Sequence, residues 1–279
     1  MDVPLASPPD AALYDFGRLL SKGYCENPQG PYKIVGPKSD LVLLPASYAN
    51  DLAAQPSNKL SFGAAIHDFW VSRHTTWRYY LDDDTGRQTL MGSLKRDEYQ
   101  KSLREEIRTV LSNGATLSLQ NIGMLRKVDS FMKEVLRLSP GTLVVMARKA
   151  LVEVKLPDGL TIPRGVTVAM PSYALNQDPN IYGPDATEFK PFRFLDVPDV
   201  PSSSLAFESV SGPGLDFGRG KASCPGRYIA LWTMKVILAR FIQRYEVRLQ
   251  DGAQRPVNIE AGVHKIANLG GNIMIRLAP

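Results

Sequence analysis

The sequence predicts a mainly α-helical protein of the α+β class, with one or two small antiparallel β-sheets. Apolar side chains recur at helical spacing in residues 101–111, 129–138 and 229–242. Segments rich in β-branched residues and bounded by Gly, Pro and Asp lie in residues 32–45 and 144–169. Each of these two segments is typical of a β-hairpin.

The N-terminal third contains the first predicted hairpin and a short helix. Residues 32–36 and 40–45 flank a Gly-Pro-Lys-Ser turn, which predicts two short paired strands. Residues 46–54 then carry the spacing of a short helix.

The second half contains the other hairpin. Residues 144–154 and 160–169 are predicted strands joined by a turn at Pro157-Asp-Gly159. Six prolines are distributed over residues 178–216, and their frequency argues against helix there.

Composition bounds the class of protein. The 279 residues are 44% hydrophobic and 22% charged, enough for a substantial core, and they contain no internal repeat. We therefore expect one domain over residues 1–279. The formal charge of +5 is spread along the chain and gives no indication of nucleic-acid binding. Cys25 and Cys224, the two cysteines, lie far apart, which argues against a disulfide framework and favours a reducing compartment.

The most specific pattern is the glycine-rich segment 217–227, which carries Cys224 to the start of an apolar helix. Gly218 and Gly220 permit positive φ angles and close backbone approach, so the segment can fold tightly around the cysteine. That arrangement suits a metal-ligating thiolate. The alternative is a buried structural cysteine, the commonest fate of a free thiol in an intracellular protein.

The spacing Phe217-x-x-Gly220-x-x-x-Cys224-x-Gly226 resembles the haem-binding loop of cytochrome P450 enzymes. By that resemblance, Cys224 is the axial ligand of a haem iron. Phe217, Gly218, Gly220 and Gly226 then form the cofactor-binding loop.

Two upstream segments resemble the same family. Glu134 and Arg137 lie on one helix face and can pair, although such pairs are usually solvated. Residues 188–194 look like the family's proline-arginine-phenylalanine segment. By resemblance, Arg193 joins Glu134 and Arg137 in a buried charged triad, to which we assign a structural role and no catalytic one.

Two further cofactor contacts follow from the resemblance. Arg148 occupies the strand position where family members often hold a haem propionate, and the equal alternative is a surface arginine. Ala222 stands where many members carry a His or Arg that reaches a propionate. Lys221 or Arg219 would have to supply that charge instead.

The sequence lacks the family's oxygen-activating Ala/Gly-Gly-x-Asp/Glu-Thr motif, so no catalytic residue is identified on the distal side of the haem. The chain passes from the early hairpin to the Glu134 helix with little in between, which predicts a deletion junction within residues 70–99. We therefore expect a shortened cytochrome P450 fold. A gene-model error, an alternative transcript and a true deletion are all compatible with this pattern.

The resemblance implies an oxidoreductase: a haem-thiolate monooxygenase of fungal secondary metabolism. It would insert one oxygen atom from O2 into an organic small molecule, using haem b iron and electrons from NADPH through a flavoprotein reductase. Arg219, Lys221 and Arg227 would face that reductase, or else form a solvated rim. The alternative is a non-catalytic remnant without the distal helix. No motif specifies the substrate.

Localisation follows from the apolar pattern. The sequence contains no run of 18 apolar residues, so the chain as written is expected to be cytoplasmic. Full-length relatives are usually held at the endoplasmic reticulum membrane.

Overall fold

The computed structural model describes residue 4 and residues 16–35, 40–69, 97–112, 117–253, 257–266, 268 and 273–278. Helices and strands are numbered in chain order. The helices are α1 (Phe16–Glu26), α2 (Ala49–Ala54), α3 (Phe62–Phe69), α4 (Asp97–Val110), α5 (Leu119–Gly123), α6 (Arg126–Leu138), α7 (Ser172–Leu175), α8 (Pro179–Tyr182), α9 (Ser202–Leu205) and α10 (Arg227–Arg244).

The strands are short. They are β1 (Tyr32–Ile34), β2 (Leu41–Leu43), β3 (Leu60–Ser61), β4 (Val145–Ala150), β5 (Val154–Lys155), β6 (Thr161–Ile162), β7 (Thr167–Met170), β8 (Tyr245–Leu249), β9 (Ile259–Ala261), β10 (His264–Ile266) and β11 (Ile273–Leu277). In the described part of the chain, helices predominate and the strands form small sheets, as expected for an α+β protein.

One sheet is larger than predicted and is not purely antiparallel. Its five strands run in the order β1-β2-β7-β4-β3. Strands β2 and β7 pair in parallel, with Leu41 opposite Thr167, so the expectation of antiparallel sheets alone was wrong at this pair. Parallel neighbours need a long connection, and local turn signals give no indication of such a pairing.

Both predicted hairpins form. Strands β1 and β2 pair antiparallel, with Tyr32 opposite Leu43. The predicted strands 144–154 and 160–169 are each divided in two: β5 and β6 form the tip of the hairpin, and β4 and β7 pair below them. Gly159 has a φ of 92° in the turn at the tip.

The helical core positions the C-terminal half of the chain. Buried side chains of α4, α6 and α10 pack together, including Leu103, Phe131 and Leu238. Arg104 of α4 is buried as well, and its Nε donates a hydrogen bond to the Ile242 carbonyl at the end of α10, at 3.0 Å. The guanidinium therefore satisfies a carbonyl that the helix itself leaves unpaired.

The prediction that residues 178–216 contain no helix was wrong, because α8 and α9 form there with four residues each. Pro179 stands in the first turn of α8, where the missing N–H costs nothing, and the Asp178 side chain accepts a hydrogen bond from the Asn180 N–H. Prolines therefore begin these single turns and do not prevent them.

The apolar helix predicted after Cys224 is α10, which begins at Arg227 with Gly226 as its N-cap. The predicted junction within 70–99 lies outside the described residues over positions 70–96. Across the helices that are described, none has the length and apolarity needed to span a membrane.

Candidate functional site

The Cys224 loop is a tight backbone structure that ends at α10. The Gly218 N–H donates to the Leu215 carbonyl at 2.7 Å, and the Cys224 N–H donates to the Phe217 carbonyl at 2.8 Å. A single 3-10 turn, Gly220–Ala222, lies between them. These bonds hold the Cys224 thiol at an exposed position just before the helix, so the alternative of a buried structural cysteine does not hold.

Two glycines of the loop are needed for two different reasons. Gly218 and Gly220 have φ angles of 71° and 63°, which side chains other than glycine rarely adopt. A Cβ at Gly220 would also lie only 3.0 Å from the Ala53 Cβ on α2. At Gly226 the φ angle is ordinary, but a Cβ would lie 3.9 Å from the Cys224 Sγ. That distance is an ordinary van der Waals contact, so it places Gly226 beside the sulfur without requiring glycine there.

Phe217 anchors the loop on the helical core. Its ring packs edge-on against Phe207, with 5.3 Å between the ring centroids. On the other side, a Cβ at Gly218 would lie 3.8 Å from the Met146 Cγ, so β4 lies close to the loop. Met146 has a φ of 55°, and the register between β4 and β7 shifts beside it. The loop therefore sits between the helical core and the sheet.

Two basic side chains of the loop hydrogen-bond to backbone carbonyls of the loop itself or of the segment just before it. Arg219 donates from Nη2 to the Gly212 carbonyl at 2.7 Å, and Arg227 donates from Nη1 to the Cys224 carbonyl at 2.7 Å. Lys221 is exposed. Two of the three basic residues expected at a partner surface therefore also stabilise the loop.

Arg148 is buried on β4 and is not a surface arginine. One guanidinium nitrogen, Nη1, donates to the Ala147 carbonyl at 2.8 Å, and the group stacks over the Phe62 ring at 5.3 Å. Among the residues that the structure describes, no carboxylate pairs with it, and burial lowers the pKa of Arg148. A buried cation of this kind is costly without an anionic partner.

The structure brings Glu134, Arg137 and Arg193 together. Arg137 donates from Nε and Nη2 to the two Glu134 oxygens at 2.7 and 2.8 Å. Arg193 donates from Nε to Glu134 Oε1 at 3.1 Å. The exposed fractions of the Glu134, Arg137 and Arg193 side chains are 0%, 1% and 11%.

Sequence reasoning missed a second carboxylate at this cluster. Asp185 Oδ1 accepts a hydrogen bond from Arg193 Nη1 at 2.7 Å. Hydrogen bonds from Lys190 and Arg193 lower the pKa of the Asp185 carboxyl to about 2. Nothing in the spacing of these residues indicates the pairing, because it depends on how the loop after α8 folds.

A buried chain of polar groups links this cluster to the Cys224 loop. Arg137 Nη1 donates to the Asn176 carbonyl at 2.5 Å, and the Asn176 amide donates to Asp216 Oδ1 at 2.9 Å. Asp216 immediately precedes Phe217, and burial raises the pKa of its carboxyl. Asp216 and Asn176 were also missed, since neither has a motif of its own.

The described residues fit a metal-containing cofactor that supplies most of the ligands of its own metal and that also carries carboxylate groups. Cys224 offers one exposed sulfur, and Arg148 offers a buried cation with no carboxylate partner in the described residues. Elsewhere in those residues, no group of three or more His, Cys, Asp or Glu is placed to hold a bare metal ion. Haem meets both conditions, because its iron needs only axial protein ligands.

Comparison with known proteins identifies the family. A sequence profile described as Cytochrome P450 matches residues 88–274. The chain is 32% identical over 184 residues to "Cytochrome P450 monooxygenase ataF" of Aspergillus terreus, covering 64% of this chain and 37% of the relative. It is 35% identical over 181 residues to "Cytochrome P450 monooxygenase 151" of Postia placenta, covering 64% and 36%.

A third relative is matched over a longer stretch. The chain is 31% identical over 211 residues to "Cytochrome P450 monooxygenase cheE" of Chaetomium globosum, covering 74% of this chain and 40% of the relative. The chain belongs to the cytochrome P450 family, and these relatives are fungal proteins. It spans only 36–40% of the length of these three relatives. Membership of the family implies a haem iron cofactor.

Proposed function

We propose that Cys224 is the axial thiolate ligand of a haem b iron and that Arg148 binds a haem propionate. One observation carries this proposal: the fold holds both an exposed thiol, on a loop shaped by glycines, and a buried guanidinium. In the described residues, that guanidinium has no carboxylate partner. Met146 lies close to the loop and two residues before Arg148 on β4, so the thiol loop and the guanidinium belong to neighbouring parts of the fold. A propionate would supply the charge that burial of Arg148 demands.

The chain's own groups would fix the position and surroundings of the sulfur. The Cys224 N–H bond to the Phe217 carbonyl fixes the backbone at the ligand, and Gly226 lies beside the sulfur. Phe217 shields the inner side of the loop against Phe207. Burial and hydrogen bonding near a ligand tune its metal. Thiolate-ligated haem supplies oxygen activation, because the anionic sulfur favours O–O cleavage.

The function that this site supports best is haem-thiolate monooxygenation of an organic small molecule in fungal secondary metabolism. O2 would supply the inserted oxygen atom, and NADPH would supply electrons through a flavoprotein reductase. Relatives named as fungal cytochrome P450 monooxygenases support this assignment. Exposed Lys221, with the neighbouring Arg219 and Arg227, would attract an acidic reductase surface.

The second candidate function is a non-catalytic remnant that keeps the haem cradle without a distal oxygen-activating helix. One observation favours it. The solvent side of α10 carries Ile229 and Ile237, which are 74% and 50% exposed, beside the exposed polar residues Thr233 and Arg240. The two isoleucines leave apolar surface uncovered on this helix. We propose the deletion junction at 70–99, within a single domain, as the origin of this uncovered face.

A haem titration followed by a turnover assay separates these candidates. Purified chain would be titrated with haem, and hydrogen peroxide would then be added with a set of small aromatic substrates. Monooxygenation predicts stoichiometric uptake and oxygenated product, both lost in Cys224→Ala. The remnant predicts weak uptake of haem or none, and no product. If wild-type protein binds haem stoichiometrically and Cys224→Ala binds it as tightly, the assignment of Cys224 as the ligand is overturned.

A further inference from the structure

Two charged residues of α6, one turn apart, face the segment 204–207; Lys133 is buried and Asp129 is partly buried. Asp129 and Lys133 are separated by four positions, so their side chains leave the same face of the helix. Neither belongs to the Glu134 cluster. Lys133 is 7% exposed, and its burial lowers the pKa of the ammonium. A lysine is rarely buried unless its donors are satisfied.

Lys133 uses its ammonium to bind three successive carbonyls. Its Nζ lies 3.3, 3.1 and 2.9 Å from the carbonyl oxygens of Ser204, Leu205 and Ala206. An ammonium has three N–H donors, so these carbonyls occupy all of them. The same group lies 4.9 Å from the centre of the Phe194 ring, a favourable cation–π contact.

Asp129 binds the next residue of the segment through its N–H. Its Oδ2 accepts from the Phe207 N–H at 2.8 Å, and its Oδ1 pairs with the Lys235 ammonium of α10 at 2.6 Å. The segment 204–207 is therefore held by carbonyl acceptors on one side and by an N–H donor on the other.

The held segment contacts the cysteine loop directly at one point and is linked to it through Gly212 at a second. Phe207 packs edge-on against Phe217. Gly212 lies so close to the segment that a Cβ there would be 2.5 Å from the Ser204 carbonyl oxygen. The Gly212 carbonyl accepts the hydrogen bond from Arg219 of the loop. Displacing the segment would therefore disturb both anchors of the loop.

We propose that Asp129 and Lys133 are positioning residues for the axial ligand: by holding the segment 204–207, they fix the Cys224 loop through Phe217 and Arg219. This inference rests on the proposed haem function for its consequence. Its structural half does not depend on haem. The contacts that lead from Asp129 and Lys133 through the segment 204–207 to the Cys224 loop, called the relay below, all join residues of the chain. Their effect on the loop is therefore measurable in a chain that binds no haem.

The test compares Lys133→Met with Leu103→Ala in cofactor-free protein. Met keeps the length of the lysine stem and removes its three donors. Leu103 is fully buried in the same helical core and carries no polar atoms, so its truncation weakens the fold without removing a side-chain hydrogen bond. Amide hydrogen exchange of residues 215–224 is measured at denaturant concentrations giving equal overall stability.

We expect exchange in this segment to be about tenfold faster in Lys133→Met than in Leu103→Ala, as for loss of hydrogen bonds to a charged group. Equal exchange in the two variants would overturn the inference. Phe207→Leu, which breaks the far end of the relay without leaving carbonyls unpaired, provides a second test if Lys133→Met does not fold. It should also loosen residues 215–224.

A spectroscopic measurement tests the consequence for the ligand. After haem loading, the fraction of reduced carbon monoxide complex with a thiolate-type Soret band should fall in Lys133→Met and stay at the wild-type level in Leu103→Ala. An unchanged fraction with faster loop exchange would overturn the ligand-positioning claim. If wild-type protein binds no haem, the proposed function fails, and the exchange measurement still decides the relay.

Discussion

Glu134 and Arg137 form a bidentate ion pair on α6 that is almost completely removed from solvent, with N–O distances of 2.7 and 2.8 Å. Desolvating two charges is costly, and the attraction between them compensates only if the remaining donors are also satisfied. Arg137 meets this condition through the backbone carbonyls of Asn176, Ala186 and Glu188. The pair thereby ties α6 to the segment that follows α7.

Removing Glu134 should be far more damaging than breaking an exposed pair. Glu134→Ala leaves the two arginines without their shared carboxylate, and we expect a loss of about 3–5 kcal/mol in the free energy of unfolding. Urea unfolding of cofactor-free protein measures it. Lys22→Ala is the control, because the Lys22–Glu26 pair is about half exposed and should be worth less than about 1 kcal/mol. Equal losses in the two variants would contradict a buried structural triad.

Gly220→Ala should strain the cysteine loop. The φ of 63° costs an L-residue about 1–2 kcal/mol, and the new Cβ would press on Ala53. We expect lower stability together with weaker haem retention. Gly141→Ala is the matched control, since a Cβ there meets no atom within 4 Å. Stability losses measured by thermal unfolding should differ between the two, and similar values would count against a strained loop.

Arg148→Met should separate cofactor binding from folding. Because no described carboxylate pairs with Arg148, replacing it with an apolar side chain should leave the stability of cofactor-free protein unchanged or raised. Haem retention, followed by transfer of haem to apomyoglobin, should fall. Arg148→Lys keeps the charge and should retain haem better than Arg148→Met. A large stability loss in cofactor-free Arg148→Met would show instead that the stack on Phe62 is its main role.

Asp185 should contribute to the loss of folding stability at acid pH. Its folded-state pKa of about 2 lies below the unfolded value of about 4, so the ionised carboxylate stabilises the fold above pH ~4. That contribution is lost as the pH falls towards 2. Urea midpoints should therefore drop more steeply between pH 4 and pH 2 in the wild type than in Asp185→Asn. Parallel pH profiles would show that the carboxylate adds no pH-dependent stability.

The sequence predicted those parts of the site whose signals are local. Cys224 and its glycines follow one another along the chain, and Glu134 and Arg137 share one helix face. Asp185 and Lys133 gave no such signal, because their partners are backbone groups and side chains of loops whose path is set by tertiary packing. The parallel pairing of β2 with β7 was missed for the same reason. Local spacing predicts a contact only between residues that are neighbours along the chain or on one face of a helix.

Cys224 as the haem ligand is the central claim, and one spectrum tests it most directly. The purified chain would be loaded with haem, reduced with dithionite and exposed to carbon monoxide, beside Cys224→Ala and Cys25→Ala. Cys25 is the other exposed cysteine and serves as the control for general loss of a thiol. The account predicts a red-shifted, thiolate-type Soret band in the wild type and in Cys25→Ala that is absent from Cys224→Ala. A band of that type persisting in Cys224→Ala, or missing from haem-loaded wild type, would contradict it.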